Sequence, residues 1–358
     1  MSWILAFAGF AALILLHEWG HFTAAKAVGM RVERFSIFFP PFITKRKRGE
    51  TEYCVGVIPL GGYVKITGMN PNEEIEDEAI KARAYYVQPV WKRIVVIGAG
   101  PFVNIVVAFL ILWGLFLING SATQTQKVDK LSAGFPAAGV LARGDRIISV
   151  DGVTGDQQAL SLQTATHRCV GTATNGCKAA RPATIVVQRD GVRRSFQITP
   201  IYDQKVKRTR LGFTFGVDRQ DAGPLKSAEL STSAMWRVST GTISAIARIF
   251  DAEKRKEISG VVGSYEVTRQ SFDFDLTQAL NVLAIISLSL AIVNLFPFLP
   301  LDGGHIFWAL AEKVRGRPIP FWIMERASVV GFMLVLLLFA VGLTNDIGRL
   351  QGEGFSVR

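Results

Sequence analysis

Histidine is scarce in this chain, four in 358 residues, and cysteine is scarcer, with three. Cys54, Cys169 and Cys177 fall into no zinc-ligand spacing, which excludes a cysteine-built metal module. No lysine or arginine precedes the first apolar run, and no small-residue cleavage site follows it at a suitable distance. A cleavable secretory leader is therefore not expected. Acids are also in deficit, 29 against 40 basic residues, for a formal charge of +11. Such a balance suits nucleic-acid binding when the bases form a patch, but here they gather at the ends of apolar runs, which excludes that class.

What is present is a 49% hydrophobic composition collected into long runs, the pattern of a membrane protein with one soluble insert. Four segments reach the roughly 20 residues that a bilayer requires: Trp3–Ala25, Ile94–Ile118, Ala279–Leu301 and Ala327–Leu343. Between the first two lie twelve Lys and Arg, including "KRKR" at Lys45–Arg48, and the short link after the third holds Lys313, Arg315 and Arg317. Positive charge marks the cytoplasmic side, so both termini are expected outside, with the insert, in a multi-pass protein of the cytoplasmic (inner) membrane. The expected organisation is span one with "HEWGH" (1–30), a cytoplasmic-side β-loop region (31–93), span two (94–118) and an extracytoplasmic β-rich module (119–224). An amphipathic helix and linker (225–278), span three with "LDGG" (279–312), a cytoplasmic link (313–326), span four (327–345) and a tail (346–358) complete it. Cys169 and Cys177 fall in the outside module, where a disulfide is permitted, although spacing does not pair them.

The chemistry concentrates in two stretches. "HEWGH" places His17 and His21 one helical turn apart on one face, where two imidazoles can grip one zinc ion (Zn2+), with Glu18 placed to take a proton from the attacking water. Ionisable residues inside a span are costly and usually functional. Catalytic zinc takes three protein ligands and keeps an open position. At 1.5 Å per residue, His21 and His17 lie about 7 Å and about 13 Å from Lys26, so a third ligand must arrive near the cytoplasmic end of a parallel span. That end of span three reads "NLFPFLPLDGGHIF". Asp302 is the only acid between Asp275 and Glu312 and is the expected third ligand, with His305 its rival and helix capping its plain structural alternative.

The pairing of "HEWGH" with "NLFPFLPLDGGH" strongly resembles the site-2 protease family of intramembrane zinc metalloproteases, in particular an RseP-like bacterial branch with one PDZ domain. "GVIPLGGYVKI" resembles that family's membrane-dipping β-loop, "GAGPFVN" its second-span motif, and "AAGVLARGDRIISVDG" a PDZ domain, here about Val128–Val217. The resemblance implies zinc held by His17, His21 and Asp302, with Glu18 as general base, and tells against His305. It departs from RseP itself, which is longer and has two PDZ domains, in having room for one, and in reading "ISGVVGSY" at Ile258–Tyr265, where relatives often carry a proline.

The expected fold is thus an α-helical polytopic membrane protein of four transmembrane helices with a β-loop and a β-rich PDZ domain. The expected activity is zinc endopeptidase cleavage of single-span membrane proteins in or near the bilayer, after an upstream site-1-type protease has cut outside. Anti-sigma-factor-like proteins or signal-peptide remnants are the substrate types implied, with no nucleic acid. Asn294 is a candidate donor to the substrate backbone or oxyanion, or a plain interhelical contact. Gly61, Gly62 and Tyr63 lie on a strand that can pair with an unwound substrate. Two other classes compete: an inactive PDZ adaptor, which has no use for Glu18, and a metal transporter, for which span four offers no ionisable residue.

Overall fold

The computed structural model describes all residues except 71, 170, 172, 205–207, 249–250, 252–259 and 352–358. In chain order the first elements are α1 (Ser2–Ala27), β1 (Val32–Arg48), β2 (Thr51–Ile66), α2 (Glu78–Lys81) and α3 (Val90–Asn119). A β-rich stretch follows, with β3 (Ser121–Leu131), β4 (Arg146–Val150), α4 (Gln157–Ala165), β5 (Ala183–Arg189), β6 (Val192–Ile198), β7 (Ile201–Asp203), β8 (Arg208–Arg210) and β9 (Phe213–Gln220). The chain then returns to helix: α5 (Pro224–Ala247), α6 (Val261–Phe274), α7 (Leu276–Asn294), α8 (Asp302–Arg315) and α9 (Phe321–Gln351). These elements form two compact units, Met1–Phe116 with Pro224–Arg358, and Leu117–Gly223.

In the first unit, four helices among the described residues are long and apolar enough to cross a membrane: Ser2–Ala27, Val90–Asn119, Leu276–Asn294 and Trp322–Arg349. The third ends seven residues short of Leu301, the expected end of span three. Pro297 and Pro300 withhold the N–H groups that would carry α7 onward, and residues 295–301 form a chain of short turns before α8 restarts at Asp302. The amphipathic helix expected over Leu225–Phe250 is α5 as far as Ala247; its last two expected residues, Ile249 and Phe250, lie outside the described ones, as do Ile258 and Ser259 of "ISGVVGSY" and most of the expected tail. From Val261 that stretch is the start of α6, whose first amides end on Asp346 of α9: Gly260 N–H donates to Oδ1 at 3.0 Å and Gly263 N–H to Oδ2 at 2.8 Å.

The β1–β2 ribbon is wider than a hairpin. Arg34 lies opposite both Glu52 and Lys65, and Ile37 opposite both Val55 and Gly62, so Val32–Ile37 is flanked on both sides while Thr44–Arg48 folds back against Thr51–Val55. Its base is anchored by an apolar cluster of Ala25, Met30, Val32, Ile66, Tyr85, Val96 and Ile97. Glu50, in the ribbon's turn, pairs with Lys26 and Arg83. The hydrogen bonds from Arg83 and Lys26 hold its carboxyl down at a pKa of about 2.

In the second unit a five-stranded sheet runs in the order β6-β5-β4-β3-β9, and α4 packs with it. Alternating inward residues Ala183, Ile185 and Val187 of β5 join Val128, Ile147, Val150 and Leu160 in its core. The Asp145 side chain is 1% exposed and held bidentately by Arg189 at 2.6 and 2.7 Å, while the Ala142 N–H donates to it. Cys169 and Cys177 are joined by a disulfide, and Cys54 is free and buried.

Candidate metal centre

Helix α1 carries His17 and His21 on one face, both buried at 7% exposure in a helix whose other side chains are nearly all apolar. The 2.9 Å hydrogen bond from His21 Nδ1–H to the Val96 carbonyl of α3 turns Nε2 toward His17. The two Nε2 atoms are 3.2 Å apart, and the rings meet edge to face. Helix α8 brings Asp302 to them, its Oδ2 lying 3.2 Å from His17 Nε2 and 3.4 Å from His21 Nε2. The three atoms form a nearly equilateral triangle. Two adjoining glycines let the turn before α8 fold this tightly: a Cβ on Gly303 would fall 2.1 Å from the Leu295 carbonyl oxygen. Asp302 is not spent on capping, because the N-cap is Leu301 and no side-chain cap bond is made.

These donors fit a zinc ion. Ligands about 2.0–2.1 Å from a tetrahedral zinc stand about 3.3–3.4 Å from one another, close to the three edges observed. Asp302 Oδ2 is buried with no hydrogen-bond donor, which is costly for a carboxylate oxygen unless something positive reaches it. The donor set is two imidazoles and one carboxylate, a set typical of catalytic zinc. Among the described residues His17, His21 and Asp302 are the group that can hold a metal; His305, half-buried, is not in it.

Glu18 follows His17 directly and is half-buried. The β2 strand comes down onto it: a Cβ at Gly62 would lie 2.9 Å from Glu18 Cγ and 2.8 Å from the Ser36 carbonyl oxygen, so only glycine allows this approach. Gly61 stands against the Phe39 ring, which stacks on Tyr63, and the Tyr63 hydroxyl accepts from Arg34 at 3.3 Å. Asn294 is the half-buried last residue of α7.

Several residues that serve this arrangement are not singled out by spacing. Gly100 of α3 faces His21 so closely that a Cβ there would lie 2.2 Å from Nε2. Asn104, fully buried one turn further on, sets its Nδ2 3.3 Å from His17 Nδ1. Arg93, near the start of α3, grips Glu312 of α8 with two bonds at 2.7 and 2.9 Å, tying together the helices that carry Gly100 and Asp302. The signal available was "GAGPFVN" itself, a glycine, proline and asparagine cluster inside an apolar run; without the partner helix nothing in it points to histidine.

The family model described as Peptidase family M50 matches residues 5–338. Among curated relatives, a candidate zinc metalloprotease of Campylobacter jejuni is 31% identical, over 95% of this chain and 92% of its own length. One from Rhizobium meliloti is 28% identical over 95% of this chain and 94% of its own. A third, from Clostridium perfringens, is 29% identical over 96% and 98%.

Proposed function

The chain belongs to peptidase family M50, the site-2 protease family, and from that premise we propose that it cuts single-span membrane proteins within or near the bilayer, using Glu18, His17, His21 and Asp302. It is a multi-pass membrane metalloprotease with zinc as its metal. The observation that carries the assignment of residues is the triangle of 3.2, 3.2 and 3.4 Å edges formed by His17 Nε2, His21 Nε2 and Asp302 Oδ2, with Glu18 beside it.

His17, His21 and Asp302 would hold the zinc, which when bound supplies Lewis acidity to water and to the scissile carbonyl. Glu18 takes the proton of the attacking water on its carboxylate and returns it to the nitrogen of the departing amine. A peptide bond inside a helix is shielded by its own hydrogen bonds, so the substrate must first unwind. The strand of Gly61, Gly62 and Tyr63 takes up the extended segment by edge pairing, and its closeness at Gly62 sets that segment beside Glu18. Asn294 donates to the substrate backbone or to the developing oxyanion.

The unit of Leu117–Gly223 is read as a PDZ domain, the "GDRIISVDG" run supplying β4 and its turn. A groove of about 520 Å³, lined by Gln124, Thr125, Lys127, Arg146, Gln157 and Asp218, supports a role in reading or excluding the ends of trimmed substrates. With lysine and arginine in the links after spans one and three, the zinc site lies toward the cytoplasm and both termini outside, in the inner membrane. The substrate has then already been cut outside by another protease, and anti-sigma-factor-like proteins or signal-peptide remnants fit.

The test is cleavage of a tagged single-span substrate, already trimmed, in membranes holding either the native chain or Glu18→Gln. The native chain is expected to release the cytoplasmic fragment, and Glu18→Gln to lower the rate by about 10²–10⁴-fold. Equal cleavage by the two chains would remove Glu18 from the mechanism.

A further inference from the structure

We propose that Asn104 is a positioning residue for His17, holding its ring and tautomer through Nδ1 as the Val96 carbonyl holds His21; the inference rests on the zinc metalloprotease reading above.

Asn104 is 0% exposed, on a helix whose neighbouring side chains are apolar, and its side-chain amide meets His17 Nδ1 at 3.3 Å. The Ser287 hydroxyl of α7 donates to the Asn104 carbonyl at 2.9 Å, fixing the backbone from which the amide projects. Oδ1 of the same amide is buried without a partner. A buried amide is costly to keep, and leucine would fill the same space at a site that only needed packing.

A histidine offers the Nε2 lone pair to a metal only when its single proton sits on Nδ1. That ring N–H, buried, needs an acceptor. A half-turn of the Asn104 amide about its last bond fills the same volume and presents Oδ1 to Nδ1. As placed, the nitrogen end of the amide faces the ring and the oxygen end has no partner, so the half-turn forfeits no bond made by Oδ1. With the half-turn made, both ligand histidines give their rear N–H to an oxygen of α3, His21 to the main chain at Val96 and His17 to the side chain at Asn104, two turns apart on that helix. Only the second of these contacts is open to mutation.

The experiment uses the full-length chain purified in detergent. Zinc affinity is measured by chelator competition, the visible spectrum of the cobalt-loaded protein reports ligand geometry, and thermal unfolding is followed without metal. Asn104→Leu keeps the shape and removes the acceptor; it is expected to weaken zinc binding about 10–100-fold and to alter the cobalt spectrum, with metal-free unfolding unchanged. Asn104→Asp keeps an acceptor and is expected to bind zinc within about threefold of the native chain or tighter. Unchanged affinity and spectrum in Asn104→Leu would overturn the proposal. So would an equal loss in Asn104→Asp, which decides the matter alone if the leucine variant does not fold. A native chain that binds no zinc at one-to-one stoichiometry would sink the metalloprotease reading itself, a different result from a native chain and a leucine variant that bind alike.

Discussion

In the unit of Leu117–Gly223 the large fully buried side chains are Val128, Ile147, Val150, Leu160, Ile185 and Val187, and the buried acids among the described residues, Asp145 and Asp203, are each paired with an arginine, Arg189 and Arg210. In the unit of long helices the positions at 0% exposure include Ser227, Ser231, Thr268, Ser271, Ser287, Asn104 and Asp346, while Trp322, Val330, Phe332 and Leu337 are more than half exposed. One interior follows the rule of water, where removing apolar surface drives folding. The other follows the rule of lipid, where apolar surface gains nothing by burial and helices meet through small and polar groups. The second kind of interior is the one that can house two histidines, a carboxylate and a carboxamide within hydrogen-bond reach, because polar groups there have no water to turn to.

The contrast is breakable by substitution. Ile185→Ala removes a core side chain from the first interior and is expected to lower that unit's stability by about 2–5 kcal/mol, read as loss of amide-exchange protection on β5 in the full chain. The matched change on the lipid-facing side, Val330→Ala, is expected to alter protection by less than about 0.5 kcal/mol; equal costs would abolish the distinction. Gly100→Ala strikes the second interior. A methyl group 2.2 Å from His21 Nε2 must displace the ring, and a displacement of about 1 Å costs on the order of 100-fold in cleavage. Native activity in that variant would mean that α3 yields more easily than the contact implies. The smallest effect belongs to the ribbon outside both interiors. Glu50 titrates near 2 when folded, below its unfolded value near 4.5, so its stabilising pairing is complete above pH 4.5 and is lost as pH falls toward 2. The melting-temperature difference between the native chain and Glu50→Gln is expected to be visible at pH 7 and to shrink through that window; a difference that stays constant would assign it to packing.

Legibility in the sequence divides along the same line. The four spans could be read because lipid demands a length and a composition, and both are local. His17 and His21 could be read because one helical turn fixes their spacing, and Asp302 because it is a lone acid among proline and glycine breakers. The widening of the β1–β2 ribbon could not, since it depends on Val32–Ile37 taking partners from two separate parts of β2. Nor could the duties of Gly100 and Asn104, which arise from the face that α3 turns to α1, or the clamp between Arg93 and Glu312, 219 residues apart. Motifs within one turn of a helix are visible in a string of letters, and contacts between helices are not.

The distance along the chain between the two parts of the metal triangle also sets a schedule. His21 leaves the ribosome 281 residues ahead of Asp302, a gap of about 15–60 s at about 5–20 residues per second. Through that interval α1 and α3 can already stand together with both imidazoles in place, yet the carboxylate has not been made. On the proposed assignment of ligands, a nascent chain in the membrane, among other proteins under insertion, lacks the third of them until α7 and the start of α8 have been made.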